Sequence, residues 1–277
     1  MKILIRGAGD IASGIALRLH RAGMQVVMTD LPAPTAIRRT VCFSQAIILG
    51  EMTVEDVTAR RAETPDQAEA LLAQGLIPVL ADPDCTCRTR LRPDALVDAI
   101  LAKRNLGTKI DDAPVVVGIG PGFTAGEDCH AVVETMRGHT LGRVIYRGSA
   151  LPNTNIPGLI GGYAGERVLR APAEGIFCQK LEIGAVVRAG DVAGEVAGQP
   201  MKCTIDGVLR GILADGTPVF RGMKAGDVDP RCKPEYCTTA SDKALAVGGG
   251  VLEAVLHLHH RNRPAEKQSQ FTGGALL

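Results

Sequence analysis

Tryptophan is absent from the 277 residues, and three tyrosines and five phenylalanines are the only aromatic side chains. So few rings offer little on which bases could stack. With 31 basic residues against 30 acidic ones there is no chain-wide basic surface either, and together these absences argue against a nucleic-acid partner. Long apolar runs are also missing. Stretches such as Pro114 to Ile119 fall far short of the roughly 18 residues a membrane span needs, and the N-terminus carries no signal-type apolar region. The expectation is a cytoplasmic protein with no membrane partner. Eight cysteines are present, but without an export signal they read as reduced thiols rather than a disulfide framework. What remains is a chain 45% hydrophobic with 33 glycines, above the usual ~7% of residues and without a collagen period. Such glycine belongs to turns and close backbone approaches.

Lys2 to Arg6 forms an apolar run that ends in Gly7-Ala8-Gly9. Ile11, Ile15 and Leu19 then recur at helical spacing up to Gly23, and Gln25 to Thr29 reads as a second strand, the unit that builds a parallel sheet. Further strands are expected at Ala46 to Leu49, Leu76 to Leu80, Val115 to Ile119 and Arg143 to Tyr146. Helices are expected near Pro65 to Gln74, Pro93 to Arg104 and Glu127 to Met136. Residues 1–165 therefore read as a doubly wound, Rossmann-like α/β domain. From Val168 onward short β-like pieces alternate with glycines, in two similar halves around Ala171 to Asp191 and Thr204 to Val219, so residues 168–231 read as a small all-β unit. Residues 232–277 read as a C-terminal helix opened by Ser241-Asp242 and packed on the first domain, with a flexible tail from Asn262. Gly248-Gly249-Gly250 would allow that packing to be close.

Several groups of residues can carry chemistry. Gly7-x-Gly9-x-x-Ala12 followed by Asp30 fits a dinucleotide fingerprint: glycines for a tight turn and backbone approach, a helix N-terminus for anions, and an acid for ribose hydroxyls. Asp10 stands where phosphate would arrive and repels it unless a cation intervenes, so a turn that binds no dinucleotide is an equal reading. A second glycine loop, with Gly118, Gly120, Gly122 and Thr124, also leaves an apolar strand and could flank the same crevice. Asp10, Glu127, Asp128 and His130 are candidate catalytic groups if they converge there. Arg38, Arg39 and Thr40 could clamp an oxyanion. Cys85-x-Cys87 and Cys232/Cys237 lack the further ligands of a zinc site, so no metal is expected.

Ala171-Pro172, Gly175, Gly184, Val187 and Gly190 resemble biotinyl and lipoyl carrier domains. Lys202 is too close to Gly207 for a carrier lysine, and the hairpin tip would be Gly198-Gln199. A barrel-sandwich without a prosthetic arm is the expectation. Over nearly the full length the chain resembles YqeB-type accessory proteins of the selenium-dependent molybdenum hydroxylase system, distantly XdhC-like. The matching stretches include Arg6-Gly7-Ala8-Gly9-Asp10, Pro34 to Val41, Ala102 to Asn105, Gly118 to Asp128, Asp227 to Arg231 and Ser241-Asp242-Lys243. The resemblance implies maturation of molybdenum-cofactor hydroxylases such as xanthine dehydrogenase, by handling the cofactor or its terminal sulfur or selenium. A hydroxylase subunit and maturation proteins would be the partners, and Cys237 the thiol that fits the family pattern. Two alternatives are an NAD(P)-dependent oxidoreductase and a scaffold that docks a hydroxylase subunit. The sequence leaves open whether a reaction is catalysed and whether the chain forms a homo-oligomer.

Overall fold

The structure is a computed structural model, and it describes residues 1–154 and 156–261. The polar tail expected from Asn262 lies outside the described residues. In chain order the first part runs β1 (Lys2–Arg6), α1 (Asp10–Arg21), β2 (Gln25–Asp30), α2 (Gln45–Leu49), β3 (Glu51–Val54), β4 (Val57–Ala62), α3 (Pro65–Ala73), β5 (Ile77–Ala81), α4 (Arg88–Leu91), β6 (Ala95–Asp98), β7 (Val115–Ile119), β8 (Thr124–Ala125), β9 (Ala131–Val133), β10 (Val144–Ile145) and β11 (Gly148–Ser149). Nine of these strands form one sheet in the order β10-β9-β7-β6-β1-β2-β5-β4-β3. The inner seven pair in parallel, and the two outermost pairings, β3 with β4 and β9 with β10, are antiparallel.

Alternation along the central strands builds both faces of this sheet. Ile3 and Ile5 face one core with Val115, Val117 and Ile119, whereas Leu4, Leu96 and Val116 face the other. The first face is covered by α1 and by α5 (Asp242–Arg261), which comes from the far end of the described chain and also meets β7, β9 and β10. Ser241 begins α5 by accepting the Ala244 N–H at 3.1 Å. The α1–α5 crossing is close because glycines form it. A Cβ at Gly14 would lie 2.4 Å from that of Ala244, and one at Gly248 would lie 3.0 Å from the Gly14 carbonyl oxygen; Gly250 faces another segment, where a Cβ would lie 2.2 Å from the Gly142 carbonyl oxygen. No described helix is long and apolar enough to cross a membrane.

The second part contains β12 (Val168–Arg170), β13 (Gly175–Gln179), β14 (Val186–Val187), β15 (Val192–Val196), β16 (Gln199–Lys202), β17 (Gly207–Ile212), β18 (Pro218–Val219) and β19 (Lys224–Asp229). They make two four-stranded antiparallel sheets, β12-β19-β17-β14 and β16-β15-β13-β18, around Phe177, Leu209, Ile212 and Val228. The two sequence halves interlock: Gly175 pairs with Val219 and Val187 with Gly207. The hairpin tip is Ala197-Gly198, both at positive φ, one residue before the expected position. Lys202 ends β16 opposite Val192.

The expected architecture, a doubly wound Rossmann-like domain followed by a biotinyl/lipoyl-like barrel-sandwich and a C-terminal helix, is corrected on these grounds. The large sheet is mixed and poor in helices. The helices expected at 93–104 and 127–136 are instead β6 with an irregular segment, and a loop with β9. Their short runs, Ala95-Leu96-Val97 and Ala131-Val132-Val133, are buried on both faces, a pattern that periodicity does not distinguish from helix. Conversely Ala46 to Leu49, expected as a strand, is α2. In the second part no ladder joins the two four-stranded sheets into a closed barrel among the described residues.

Candidate functional site

A cleft of about 770 Å³ opens beyond the carboxyl ends of β1, β2, β5 and β6. The chain leaves β1 for β2 on one side and returns as β6 on the other, and ligands of open parallel sheets bind at such a divide. Gly7 and Gly9 divide the work of the first turn. Gly7 has φ +103°, and a Cβ there would meet the Ala99 carbonyl oxygen at 2.9 Å, whereas nothing lies within 4 Å of a Cβ at Gly9. The first glycine thus serves the chain's own packing, and the second leaves the floor of the cleft open beside the first amides of α1.

Asp30 ends β2 at the rim. One carboxylate oxygen accepts the Ala8 N–H at 2.7 Å and the other the Leu31 N–H at 2.7 Å. A carboxylate has about four acceptor positions, so each oxygen keeps capacity for a ligand. Burial raises the Asp30 pKa, and the two backbone N–H groups oppose that rise.

Asp10 is matched by the cation its position calls for. The Arg38 Nη1 donates to both Asp10 oxygens at 2.9 Å, and its Nη2 donates to the carbonyls of Tyr236 at 2.8 Å and Thr239 at 3.1 Å. Arg38 is buried, with its Nε unpartnered. It is held there because Ile37 lies along β17: the Ile212 N–H donates to the Ile37 carbonyl at 2.9 Å, and a Cβ at Gly211 would meet Ile37 at 2.8 Å. Arg38 is therefore engaged with protein groups, and its charge offsets that of Asp10 at the cleft wall.

Two cationic residues not singled out from the sequence line the cleft as well. Arg6 ends β1 and donates to the Pro83 and Leu106 carbonyls, to Thr108 Oγ1 and, at 3.4 Å, to Asp98. An arginine closing an otherwise apolar parallel strand was the signal for it. Lys224 starts β19 and enters from the second part of the chain. Its side chain keeps contact with solvent, and the protein packed about it lowers its pKa. No local signal marked Lys224, because only the packing of the two parts brings it to the cleft.

Other candidates lie elsewhere. Arg39 donates to the Ile212 carbonyl at 3.0 Å and to Gln179 at 2.8 Å, so it fastens the two parts together. Thr40 donates to the Cys237 carbonyl, and Cys237 is buried, with its thiol pKa raised by that burial. The second glycine loop does not line the cleft. A Cβ at Gly118 would strike the Phe123 ring at 2.5 Å, at Gly120 the Thr135 hydroxyl at 2.6 Å, and at Gly122 the Arg104 backbone at 2.5 Å. These glycines admit the chain's own neighbours, and the segment after β6 crosses Gly122 while its Leu101 and Leu106 face the cleft. Asp128 accepts the Thr124 N–H at 2.8 Å and an Asn105 amide N–H at 3.1 Å. His130 accepts the Val116 N–H at 3.0 Å, and burial lowers its pKa. Glu127 is exposed. Asp10 is thus the one member of the proposed Asp10, Glu127, Asp128, His130 convergence that lines the cleft. Among the described residues no group of three or more His, Cys, Asp or Glu side chains is placed to hold a metal ion.

No family model matches the chain. Over 266 residues, 96% of its length, it is 52% identical to the protein of Escherichia coli described as uncharacterized protein YqeB, and it covers 49% of that protein. The chain thus spans about half the length of the curated relative it matches, and over nearly all of its own length it is YqeB-like. Neither selenium-dependent hydroxylases nor XdhC-type factors enter through that similarity. Solved structures similar to the chain include the product-bound ectoine utilization protein EutE (DoeB) from Ruegeria pomeroyi, 19% identical over 30% of this chain and 27% of that one, with a TM-score of 0.21. An aspartoacylase family protein from Mesorhizobium loti is 12% identical over 53% and 60%, at 0.24. A succinylglutamate desuccinylase from Silicibacter is 12% identical over 82% and 84%, at 0.25. TM-scores this low transfer neither fold nor activity to this chain.

These findings correct the expected function. The relative that is 52% identical is described only as uncharacterized protein YqeB, a description that names no molybdenum cofactor, selenium or hydroxylase, and the descriptions of the structures reported above name none either. A role in maturing molybdenum hydroxylases is therefore set aside, together with the NAD(P)-dependent oxidoreductase and hydroxylase-scaffold alternatives.

Proposed function

We propose that the chain is a ligand-binding protein whose cleft takes a small phosphorylated metabolite carrying vicinal hydroxyls, of the size of a nucleotide. Asp30 carries this reading: a carboxylate pinned by two backbone N–H groups at the carboxyl end of a parallel strand, with acceptor capacity left on both oxygens. Such a group accepts from a diol. The anionic end would lie toward Lys224 and the amides beginning α1, where the positive end of the helix favours negative charge. Arg38 supports the reading by offsetting the Asp10 charge that would otherwise repel an anion. Ile11, Leu31, Ile37 and Ile100 supply apolar wall for a planar group.

The test is calorimetric titration with AMP, ADP-ribose and 2′,3′-dideoxy-AMP. Binding of the first two, with the dideoxy compound and the Asp30→Asn variant both weakened, is the expected result. Equal affinity for all three probes, or no heat with any of them at millimolar concentration, refutes the assignment.

A further inference from the structure

Charge at the seam between the two parts of the chain does not balance. Leu209, Ile212 and Val228 face the core of the second part, which leaves Arg210, Asp227 and Asp229 on the opposite face of β17 and β19, each at most 5% exposed. A register shift between Leu209 and Gly211 makes Arg210 the extra residue of β17, and such a bulge re-aims a side chain. Arg210 thereby stands beside Gly211, where a Cβ would lie 3.1 Å from Arg38 Cγ. Three carboxylates at this seam each hold an arginine of their own. Asp10 has Arg38 at 2.9 Å, Asp227 has Arg167 at 2.7 Å, and Asp229 receives Arg231 on both oxygens, at 2.9 and 2.6 Å. Arg210 is left to share Asp229 at 3.4 Å, and its Nε finds no partner. Lys224 lines the cleft with Asp10 and Arg38, and among the described residues it enters no ion pair, Asp10 and Asp227 being held by Arg38 and Arg167. Two cations are thus left over once every carboxylate of the seam is matched. The other acids of the cleft stand apart from them, Asp30 at the end of β2 and Asp84 just past β5.

We propose, resting on the reading of this cleft as a site for a phosphorylated ligand, that the ligand's anionic group is a terminal phosphate monoester held as its dianion, rather than a phosphodiester or a carboxylate. Lys224 meets the phosphate at the cleft wall, and Arg210 balances its second charge from behind Arg38. A phosphate monoester carries about −1.5 to −2 at neutral pH, its second pKa lying near ~6, whereas a diester or a carboxylate carries a single charge. Arginine does not shed its proton, and a buried charge short of its counter-ion is costly to keep. A ligand with two charges leaves neither cation unmatched. Arg210 touches no ligand in this arrangement; it acts through the poorly screened interior, where a charge is felt farther than it would be in water. The amides that begin α1 add the positive end of the helix at the same place.

The experiment is calorimetric titration of the whole chain with AMP and with its phosphate methyl ester, at about pH 8 and at about pH 5, above and below the second phosphate pKa. The two ligands share base, diol and first phosphate charge, so Asp10, Asp30, Asp84 and Lys224 face both alike and the difference reports the second charge. AMP should bind about 10-fold or more tighter than the methyl ester at the higher pH, and the gap should largely close at the lower one. In Lys224→Gln and in Arg210→Met the gap at the higher pH should narrow while the methyl ester still binds. Equal affinity of the two ligands for the wild-type chain at the higher pH, or a gap that does not change with pH, overturns the dianion assignment and leaves the diol reading standing; neither result needs a variant to fold. If neither nucleotide binds, methyl phosphate and dimethyl phosphate are compared by thermal shift at millimolar concentration. A larger shift with methyl phosphate keeps the dianion assignment and discards the nucleotide, and equal shifts discard both.

Discussion

The three consecutive glycines of α5 provide a test in which neighbouring substitutions of identical chemistry should have unequal effects on stability. Gly249 is exposed, and an added Cβ meets nothing within 4 Å, so Gly249→Ala gains only the helix propensity difference, about 0.8–1.0 kcal/mol. At Gly250 the same Cβ would lie 2.2 Å from the Gly142 oxygen and 2.9 Å from a Val133 methyl. Unstrained carbon contacts begin near ~3.5 Å, so the backbone at Gly142 must retreat by more than an ångström. It is not free to do so: Gly142 has φ +80°, and its own Cβ position is 2.6 Å from the Ala246 oxygen. Overpacking of this kind costs about 1–3 kcal/mol, which at least cancels the propensity gain. Gly250→Ala should therefore lose up to about 2 kcal/mol net, and the two variants should differ by the overpacking cost itself, roughly 1–3 kcal/mol. At ~2–4 °C per kcal/mol for a chain of this size, thermal unfolding followed by circular dichroism, with urea unfolding beside it, resolves the pair. If Gly250→Ala unfolds above the wild-type temperature, or Gly249→Ala below it, the close packing of α5 on Gly142 and Val133 is refuted.

Arg38→Ala should lower stability by about 3 kcal/mol in urea unfolding, the low end for breaking a buried pair, because Asp10 retains contact with solvent and the carbonyls of Tyr236 and Thr239 lose their donor. A loss below about 1 kcal/mol would mean the pair is worth no more than a surface one. Asp30→Asn keeps an acceptor for only one of the Ala8 and Leu31 N–H groups, so it should lower stability by about 1–3 kcal/mol and, in protein still folded at the assay temperature, weaken a diol ligand about 10-fold or more, since hydrogen bonds to a charged group contribute about 1.5–3 kcal/mol. Asp242, held by Arg137 through two contacts of 2.7 and 2.9 Å, has its pKa lowered from 3.8 to about 2. A depressed acid stabilises the folded state above its unfolded pKa and loses that contribution as pH falls through the folded value. The Arg137–Asp242 contribution should therefore fade between about pH 4 and 2. Because the Asp242 side chain is largely exposed, it should amount to less than about 1 kcal/mol, read as a difference from Asp242→Asn across that window.

The sequence by itself determined the local elements whose determinants lie within a few residues. The run Lys2 to Arg6, the Gly7-Ala8-Gly9 turn and the Ile11, Ile15, Leu19 spacing specify a strand, a turn and a helix without help from elsewhere, and Asp30 follows from them as a strand-end acid. Thr64 and Pro65 likewise begin α3, with the Thr64 hydroxyl accepting the Gln67 N–H at 3.2 Å. The sequence also showed that GPGFTAGED is rich in glycine, but not what those glycines admit. Phe123, Thr135 and the Arg104 backbone fill the space they leave, and that is visible only when distant segments meet. Tertiary structure decided the rest for the same reason. The buried pieces around Leu96 and Val132 became strands because both faces of the sheet close over them. Arg38 met Asp10 rather than solvent because Ile37 is fastened to β17. Lys224, more than 200 positions from Gly7 in the sequence, became its neighbour across the cleft. Hydrophobic period and turn chemistry act over a handful of residues, whereas the sign and placement of charge around a cleft depend on which remote segments pack together.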